Sequence, residues 1–468
     1  MANLDRALLE IERVTGDCAV LRDPELLASY AGDESEAAPV MPEAVVRARG
    51  SADVAAVLRA ASRHQIPVTP RAGGTGRTGG AVPLEGGIVL AFEQCHEIKG
   101  IERGELIAVV QPGVITGQLH QAAEAEGLFY PPDPNSLSTC AIGGNVAENA
   151  GGPRTLRYGP TRDYVLGMEA VTADGQVLQL GKRTVKGVTG YDLTSLIVGS
   201  EGTLAVITEV TLKLIPKPQA VVTLLALLPD LPTAGAAVGA VLAQGLLPRC
   251  LELLDEATLA IVRPEVGLPL DAAARALLLI ELDGDEAALE GQLERCGNAL
   301  VEAGALEVLV ARHGGERDRL WAARRELSRA LRKVANYKLA EDVVVPRPRI
   351  PELIDRCRRI SEQNAVAMPS YGHAGDGNIH VNVLWDDPAQ RPQVDAAIEA
   401  LFRETIALGG TLSGEHGIGI LKAPFLPLEQ APELIALQQR VKNLFDPQGI
   451  LNPGKIFPGG QPKTHGAC

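Results

Sequence analysis

"PRAGGTGRTGGAVP", residues 70–83, packs five glycines and two arginines into fourteen positions, and its reading decides the fold. Gly74, Gly76 and Gly79 satisfy the spacing G-x-G-x-x-G. In a dinucleotide-binding fold that spacing opens a helix whose N-terminus holds the pyrophosphate. Here Pro83, Gly86 and Gly87 follow, and then an apolar strand, "IVLAF". No helix starts, and the ribose-binding acid that such a fold places about twenty residues on has no clear counterpart. The doubly wound reading fails on context. What remains is a loop of small residues, Gly73, Thr75 and Thr78 among them, whose backbone N–H groups can line an anionic pyrophosphate, with Arg71 and Arg77 nearby. Taken alone, it also fits a plain surface loop.

Two further stretches share its character. "YPPDPNSLSTCAIGGNVAENAGGPRTLRYG" (130–159) offers a second glycine-rich wall with Ser136, Thr139, Gly143, Gly144 and Asn145. "GSEGTLAVI" (199–207) offers a third, where small residues let backbone approach a planar ligand closely. Three such loops within one domain imply a large, extended cofactor.

The bulk numbers bound the rest. A length of 468 residues suggests two or three domains. A net charge of −14 argues against a general polyanion binder, and six Phe, seven Tyr and two Trp give little for nucleic-acid bases to stack on, so no nucleic-acid partner is expected. Seven cysteines (18, 95, 140, 250, 296, 357, 468) lie no closer than 45 positions apart, which excludes CxxC zinc or redox motifs and any iron–sulfur cluster of the chain's own. Such usage fits a reducing, cytoplasmic setting. "MANLDRALLEIERV" reads as an amphipathic acidic helix rather than a signal peptide, and no apolar run is long enough for a membrane span. Membrane association, if any, is peripheral and through a partner.

Along the chain, residues 42–215 are rich in glycine and short strands, and close with the alternating "GTLAVITEVTLKLIP". "PKP" at 216–218 reads as a boundary. Beyond it, "AVVTLLALL", a helix and "RCLELLD" form one strand–helix–strand unit, and "ALLLIEL", a helix and "ALEVLVA" form another. Two such units suggest an antiparallel sheet covered by helices. A long helix near 315–334, the strand "EDVVVP" and a helix at 389–408 follow. The expected domains are 1–218, 219–425 and a C-terminal segment 426–468, loose from about 458.

Within the second domain, "YGHAGDGNIHVNV" (371–383) sets two of the eight histidines seven positions apart around a Gly-Asp-Gly turn. If the chain reverses there, His373 closes one strand, His380 opens the next, and both can face one cavity. Asn382, two residues on, shares the face of His380. The fragment looks like half of a site.

The block from "PRAGGTG" through "PPDP", "IGGNVAENAGG", "RYG", "TGYDL", "GSEGTL" and "IPKPQ" resembles the FAD-binding domain of the vanillyl-alcohol-oxidase / p-cresol-methylhydroxylase superfamily. "GHAGDGNIHVNV", "SGEHGIG" and "LNPGK" extend the likeness to the branch of the glycolate dehydrogenase FAD subunit, D-lactate dehydrogenase and D-2-hydroxyglutarate dehydrogenase. The resemblance implies an α+β protein: a two-part FAD-binding domain of the p-cresol-methylhydroxylase (PCMH) type, an α+β cap with an antiparallel sheet, and a C-terminal helical segment. FAD would be held by the residues of the first loop, by Pro132, Asp133, Ser136, Thr139, Gly143, Gly144 and Asn145, by Glu201, Gly202 and Ile207, and by Asn452. No histidine lies within the three loops, so FAD is expected to be non-covalent.

On the same resemblance His373, His380 and Glu415 match metal ligands and His416 the catalytic base. Imidazole and carboxylate ligands suit Zn, Mn or Fe, and three protein ligands leave room for substrate. A metal hydrolase would want the same residues, but it has no use for flavin loops. Arg324 and Lys338 match the cations for a substrate carboxylate, and Asn382 is a further substrate contact. A solvated basic helix face is the competing reading for the arginines around Arg324. The implied activity is oxidation of a D-2-hydroxy acid to the 2-oxo acid, with D-lactate or glycolate favoured and D-2-hydroxyglutarate second. Electrons leaving FAD need an outside acceptor, whether an iron–sulfur subunit, an electron-transfer flavoprotein or a quinone-linked chain. The chain could therefore be a subunit active only in such a complex, and a homodimer stays open.

Overall fold

The computed structural model describes residues 2–16, 19–266, 270–311 and 313–459. Contacts divide the chain into two units. The first holds the residues up to Gly151, Pro160–Lys217 and the chain from Glu415 on, and the second holds Gly152–Gly159 and Pro218–Gly414. A linear division at 218 and 425 misses two crossings. Residues 152–159 belong with the second unit, where Tyr158 donates to Asp283 at 2.8 Å and Arg157 pairs with the same carboxylate. The stretch after Gly414 belongs with the first, where the N–H groups of Ile418 and Gly419 donate to Glu201, each at 2.7 Å.

The first unit has two principal sheets. Strands β1 (Val20–Leu21), β2 (Ala44–Arg47), β3 (Val68–Arg71) and β4 (Ile88–Ala91) form one, in the order β1-β2-β4-β3, with β4 parallel to both β2 and β3. β4 is buried along its whole length, as expected of an unbroken apolar run inside a parallel sheet. The helix Ser51–His64 joins β2 to β3 and buries Val54, Val57, Leu58 and Ala61, a helical spacing, against Leu8 and Ile11 of the helix Ala2–Thr15. The other sheet is antiparallel. It contains β5 (Ile98–Glu102), β6 (Ile107–Val110), β8 (Val165–Val171), β9 (Val177–Gly181) and β10 (Val206–Lys213), ordered β5-β6-β10-β8-β9. A short pair, β7 (Leu128–Phe129) with β11 (Ile215–Pro216), closes the unit's strands. The glycine loop leaves the end of β3 and opens no helix.

The second unit is built on one seven-stranded antiparallel sheet. Its strands are β12 (Ala220–Leu228), β13 (Cys250–Leu254), β14 (Ala276–Gly284), β15 (Glu307–Ala311), β16 (Tyr337–Val344), β17 (Ser370–His373) and β18 (Asn378–Trp385), ordered β15-β12-β14-β13-β17-β18-β16. The two strand–helix–strand units interleave, giving the ferredoxin-like arrangement of four strands with β12 between β14 and β15. Their helices, Leu231–Ala243 and Glu286–Glu302, start at Asp230 and Asp285, whose side chains accept backbone N–H bonds from Thr233 and Ala287. On one face of the sheet, Leu225, Leu227, Leu277, Leu279 and Leu254 pack with Leu259 and Val262 of the helix Glu256–Val266 and with Leu320, Leu327 and Leu331 of the helix Gly314–Lys333. Toward β17, β18 and β16 the apolar residues on this face give way to histidine, asparagine, aspartate and lysine.

Candidate functional site

The hairpin between β17 and β18 places the two histidines. His373 pairs with Asn378 and Tyr371 with His380 across the ladder, so both histidines leave the same face of the sheet. Gly377 makes the turn possible: its φ of +93° is a left-handed value, and a Cβ there would collide with the carbonyl of Val345. The Nε2 atoms of His373 and His380 lie 3.4 Å apart with the rings nearly perpendicular. Two nitrogens bound to one tetrahedral ion at about 2.1 Å would also be about 3.4 Å apart, so the pair has the separation of metal ligands. One ligand atom each from His373, His380 and Glu415 lies within 4.8 Å of the others.

Each histidine has a carboxylate behind it. The Nδ1 of His373 is 2.5 Å from Glu252 Oε1, and the Nδ1 of His380 is 3.9 Å from Asp342 Oδ1. Both acids are wholly buried. Burial by itself raises the Glu252 carboxyl, and the charges of His373 and Arg324, with their hydrogen bonds, outweigh it and hold the group at about 2. Asp342 also fixes the approach to Glu415. Its Oδ2 accepts from the Gly414 N–H at 2.9 Å and from Ser413 Oγ at 3.1 Å, while Oδ1 takes the Asn378 amide at 2.5 Å. Glu415 is the next residue in the chain, so its place beside the histidines follows from covalent connection to an anchored segment. His416 comes next. Its carbonyl accepts from Thr78 Oγ1 at 3.1 Å, and its Nε2 is 3.9 Å from Glu415 Oε1.

The expected substrate cations reach the same face. Arg324, on the helix Gly314–Lys333, donates from Nε to Glu252 Oε2 at 2.6 Å and lies over the ring of Tyr371, 4.8 Å from its centroid. Lys338, on β16, donates to Ser328 Oγ at 2.8 Å, one helical turn beyond Arg324. Asn382 is fully buried, its Nδ2 shared between the carbonyls of Pro369 and His380 at 3.3 Å each, and its Oδ1 accepts no hydrogen bond among the described residues. A buried amide oxygen left without a donor is costly unless a ligand supplies one.

In the first unit the three loops meet. A Cβ on Gly73 would stand 2.8 Å from the carbonyl oxygen of Thr139, and one on Gly202 would stand 3.1 Å from Pro70. Asn145 donates to Thr116 Oγ1 at 2.6 Å, and His120 binds the carbonyl of Pro132 at 2.9 Å. Thr75, Gly76, Asp133, Ser136 and Gly144 line these loops half-buried, Gly79 and Gly143 are buried, and Ile207 is buried on β10. Asn452 ties two walls together by donating to the carbonyls of Gly80 and Glu201, and its buried Oδ1 has no partner among the described residues. Such an orphaned acceptor, set among loops held at backbone distance, fits a cofactor rich in N–H and O–H groups. Several expected contacts are engaged within the chain instead. Arg71 donates to Gly32 O at 2.5 Å, Arg77 pairs with Glu34 at 2.9 Å, and the Glu201 carboxylate is taken by Ile418 and Gly419.

Sequence reasoning missed Glu252, Asp342 and Ser328. For Glu252 a signal existed: a lone acid inside the apolar run "CLELL" is tolerated only with a buried partner.

Residues 42–181 match the family described as FAD binding domain, and residues 217–456 match FAD linked oxidases, C-terminal domain. The chain is 40% identical over 430 residues to the glycolate oxidase subunit GlcD of Bacillus subtilis, covering 92% of each. It is 36% identical over 425 residues to a D-lactate dehydrogenase of Anaerostipes hadrus, covering 89% of each. Among solved structures, p-cresol methylhydroxylase matches with a TM-score of 0.83 at 17% identity, covering 97% of both chains, which carries the fold alone. That fold is the expected one, a two-part flavin-binding domain with an α+β cap.

Proposed function

Since the chain belongs to the FAD-linked oxidase family, we propose that this FAD-linked oxidoreductase converts a D-2-hydroxy acid, glycolate or D-lactate first, into its 2-oxo acid. The observation that carries the reading is the convergence of one ligand atom each from His373, His380 and Glu415 within 4.8 Å. Bound FAD would supply the acceptor for the hydride that leaves C2, and a divalent Zn, Mn or Fe ion would supply the Lewis acid that lowers the hydroxyl pKa.

The chain's residues account for the remaining chemistry. Arg324 and Lys338 attract and orient the substrate carboxylate. Asn382 offers an amide to a polar atom of the substrate. His416 takes the hydroxyl proton as the C–O bond becomes a carbonyl, the work an imidazole does best near neutral pH. The loops around Gly73, Gly143 and Gly202 would hold the flavin nucleotide through backbone N–H groups.

The word "subunit" in the name of the Bacillus relative favours a partner that receives the electrons, and the described cysteines are buried and form no disulfide. No helix among the described residues is long and apolar enough to cross a membrane. Turnover with an artificial acceptor tests the proposal. The metal-loaded protein should oxidise glycolate or D-lactate, and His380→Ala should lose bound metal and at least about a hundredfold in kcat/KM. Wild-type turnover in that variant would reject the metal role.

A further inference from the structure

Glu252 stands at the centre of the cap sheet with none of its surface exposed, and each of its oxygens has a different client. Oε1 is bound by His373 Nδ1 at 2.5 Å, and Oε2 by Arg324 Nε at 2.6 Å. One client is a proposed metal ligand and the other a proposed substrate cation. They come from β17 and from the helix Gly314–Lys333, 121 and 72 residues away in sequence. An imidazole bound by a carboxylate at Nδ1 carries its proton there and presents Nε2 as the ligand. For His373 that atom is the one facing His380 Nε2. On the arginine side, a carboxylate on Nε and the Tyr371 ring against the guanidinium plane fix the orientation of the guanidinium group.

We infer that Glu252 is a positioning residue that ties the metal ligand His373 to the substrate cation Arg324, so that one buried carboxylate sets the geometry of both binding events. The inference rests on the metal and substrate roles proposed above. It goes further in making the two affinities depend on a residue that touches neither ligand. A second buried carboxylate of the same sheet provides the contrast. Glu281, on β14, accepts from Trp321 Nε1 at 2.7 Å and from Thr223 Oγ1 at 3.0 Å, and pairs with Arg249.

The test uses the FAD-loaded protein stripped of metal. Zn2+ and Mn2+ affinities are measured by chelator competition, and the affinity of the metal-saturated protein for pyruvate is read from the flavin spectrum. Glu252→Gln should weaken the metal about 10- to 100-fold and pyruvate at least about fivefold, with flavin content unchanged. Glu281→Gln, which also removes a buried charge, should leave metal affinity within about threefold. Glu252→Asp is the second variant. A carboxylate shorter by one methylene cannot reach both clients, so the same two losses are expected even where Gln compromises folding. If either affinity in a folded Glu252 variant stays within about threefold of wild type, the tie is refuted while the metal site stands. If the wild-type protein binds no divalent ion, the metal reading itself falls, and this inference with it.

Discussion

A histidine can serve as metal ligand, proton acceptor or hydrogen-bond donor, and which of these it does is decided by what holds its other nitrogen. Glu252 is hydrogen-bonded to His373 at Nδ1, the Asp342 carboxylate lies 3.9 Å from His380 Nδ1, and the two rings face each other through Nε2. His416 is held by its main chain, through Thr78, and its Nε2 is 3.9 Å from the half-buried Glu415 carboxylate that precedes it in the chain. The settings differ in burial: two buried rings face each other as ligands would, and a third, half-buried ring suits proton uptake. His416→Ala should therefore lower kcat about 10²- to 10⁴-fold with metal content and flavin spectrum intact. Loss of metal in that variant, or unchanged kcat, would remove it from the base role. At this scale the sequence was informative about residue types and silent about partners. The Gly-Asp-Gly turn betrayed the two histidines because their spacing is local. Glu252 could not be linked to His373, 121 positions on, without the strand order.

Elements explain why those partners meet. β13 lies beside β17 in the sheet although more than a hundred residues separate them, and only this pairing sets Glu252 opposite His373. Strand identity was legible, since β12 and β14 are apolar runs and β10 and most of β18 alternate. Strand order was not, because nothing local says that β16 joins the edge beside β18. Asp255 shows how tightly this neighbourhood is built. It precedes the helix Glu256–Val266, accepts the Thr258 N–H at 2.8 Å and the Ser370 N–H of β17 at 3.0 Å, and is almost fully buried. Burial lifts its carboxyl from 3.8 to about 6, against the pull of those hydrogen bonds. The native state therefore holds a proton that the unfolded chain gives up. Its stabilising contribution is complete below about pH 4 and is lost as pH rises through about 6. The difference corresponds to about 3 kcal/mol. Asp255→Asn, neutral throughout, should flatten the fall in stability between pH 4 and 7 measured by chemical denaturation. A slope equal to that of wild type would show that the carboxyl titrates normally.

For the whole molecule, two units divide the labour. Backbone-lined loops suited to a flavin nucleotide lie in the first, and both histidines with the cations for a small acid lie in the second. The glycine loop announced the first unit by what failed to follow it, since a strand after "TGGAVPLEGG" rules out the dinucleotide helix. The interruption at 152–159 was invisible, because "GPRTLRYG" reads as part of the loop it interrupts, and its place in the second unit shows only in long-range contacts such as those of Arg157 and Tyr158 with Asp283. With the flavin-suited loops in the first unit, removal of the ion should leave the flavin in place. An anaerobic visible spectrum, recorded before and after addition of glycolate and of D- and L-lactate, tests the central claim most directly. A yellow protein bleached by glycolate or the D-acid and not by the L-acid, with bleaching lost after chelation and restored by Zn2+ or Mn2+, is the expected result. Bleaching that survives complete removal of divalent ions, or a protein that binds no FAD when it is supplied, would contradict the account.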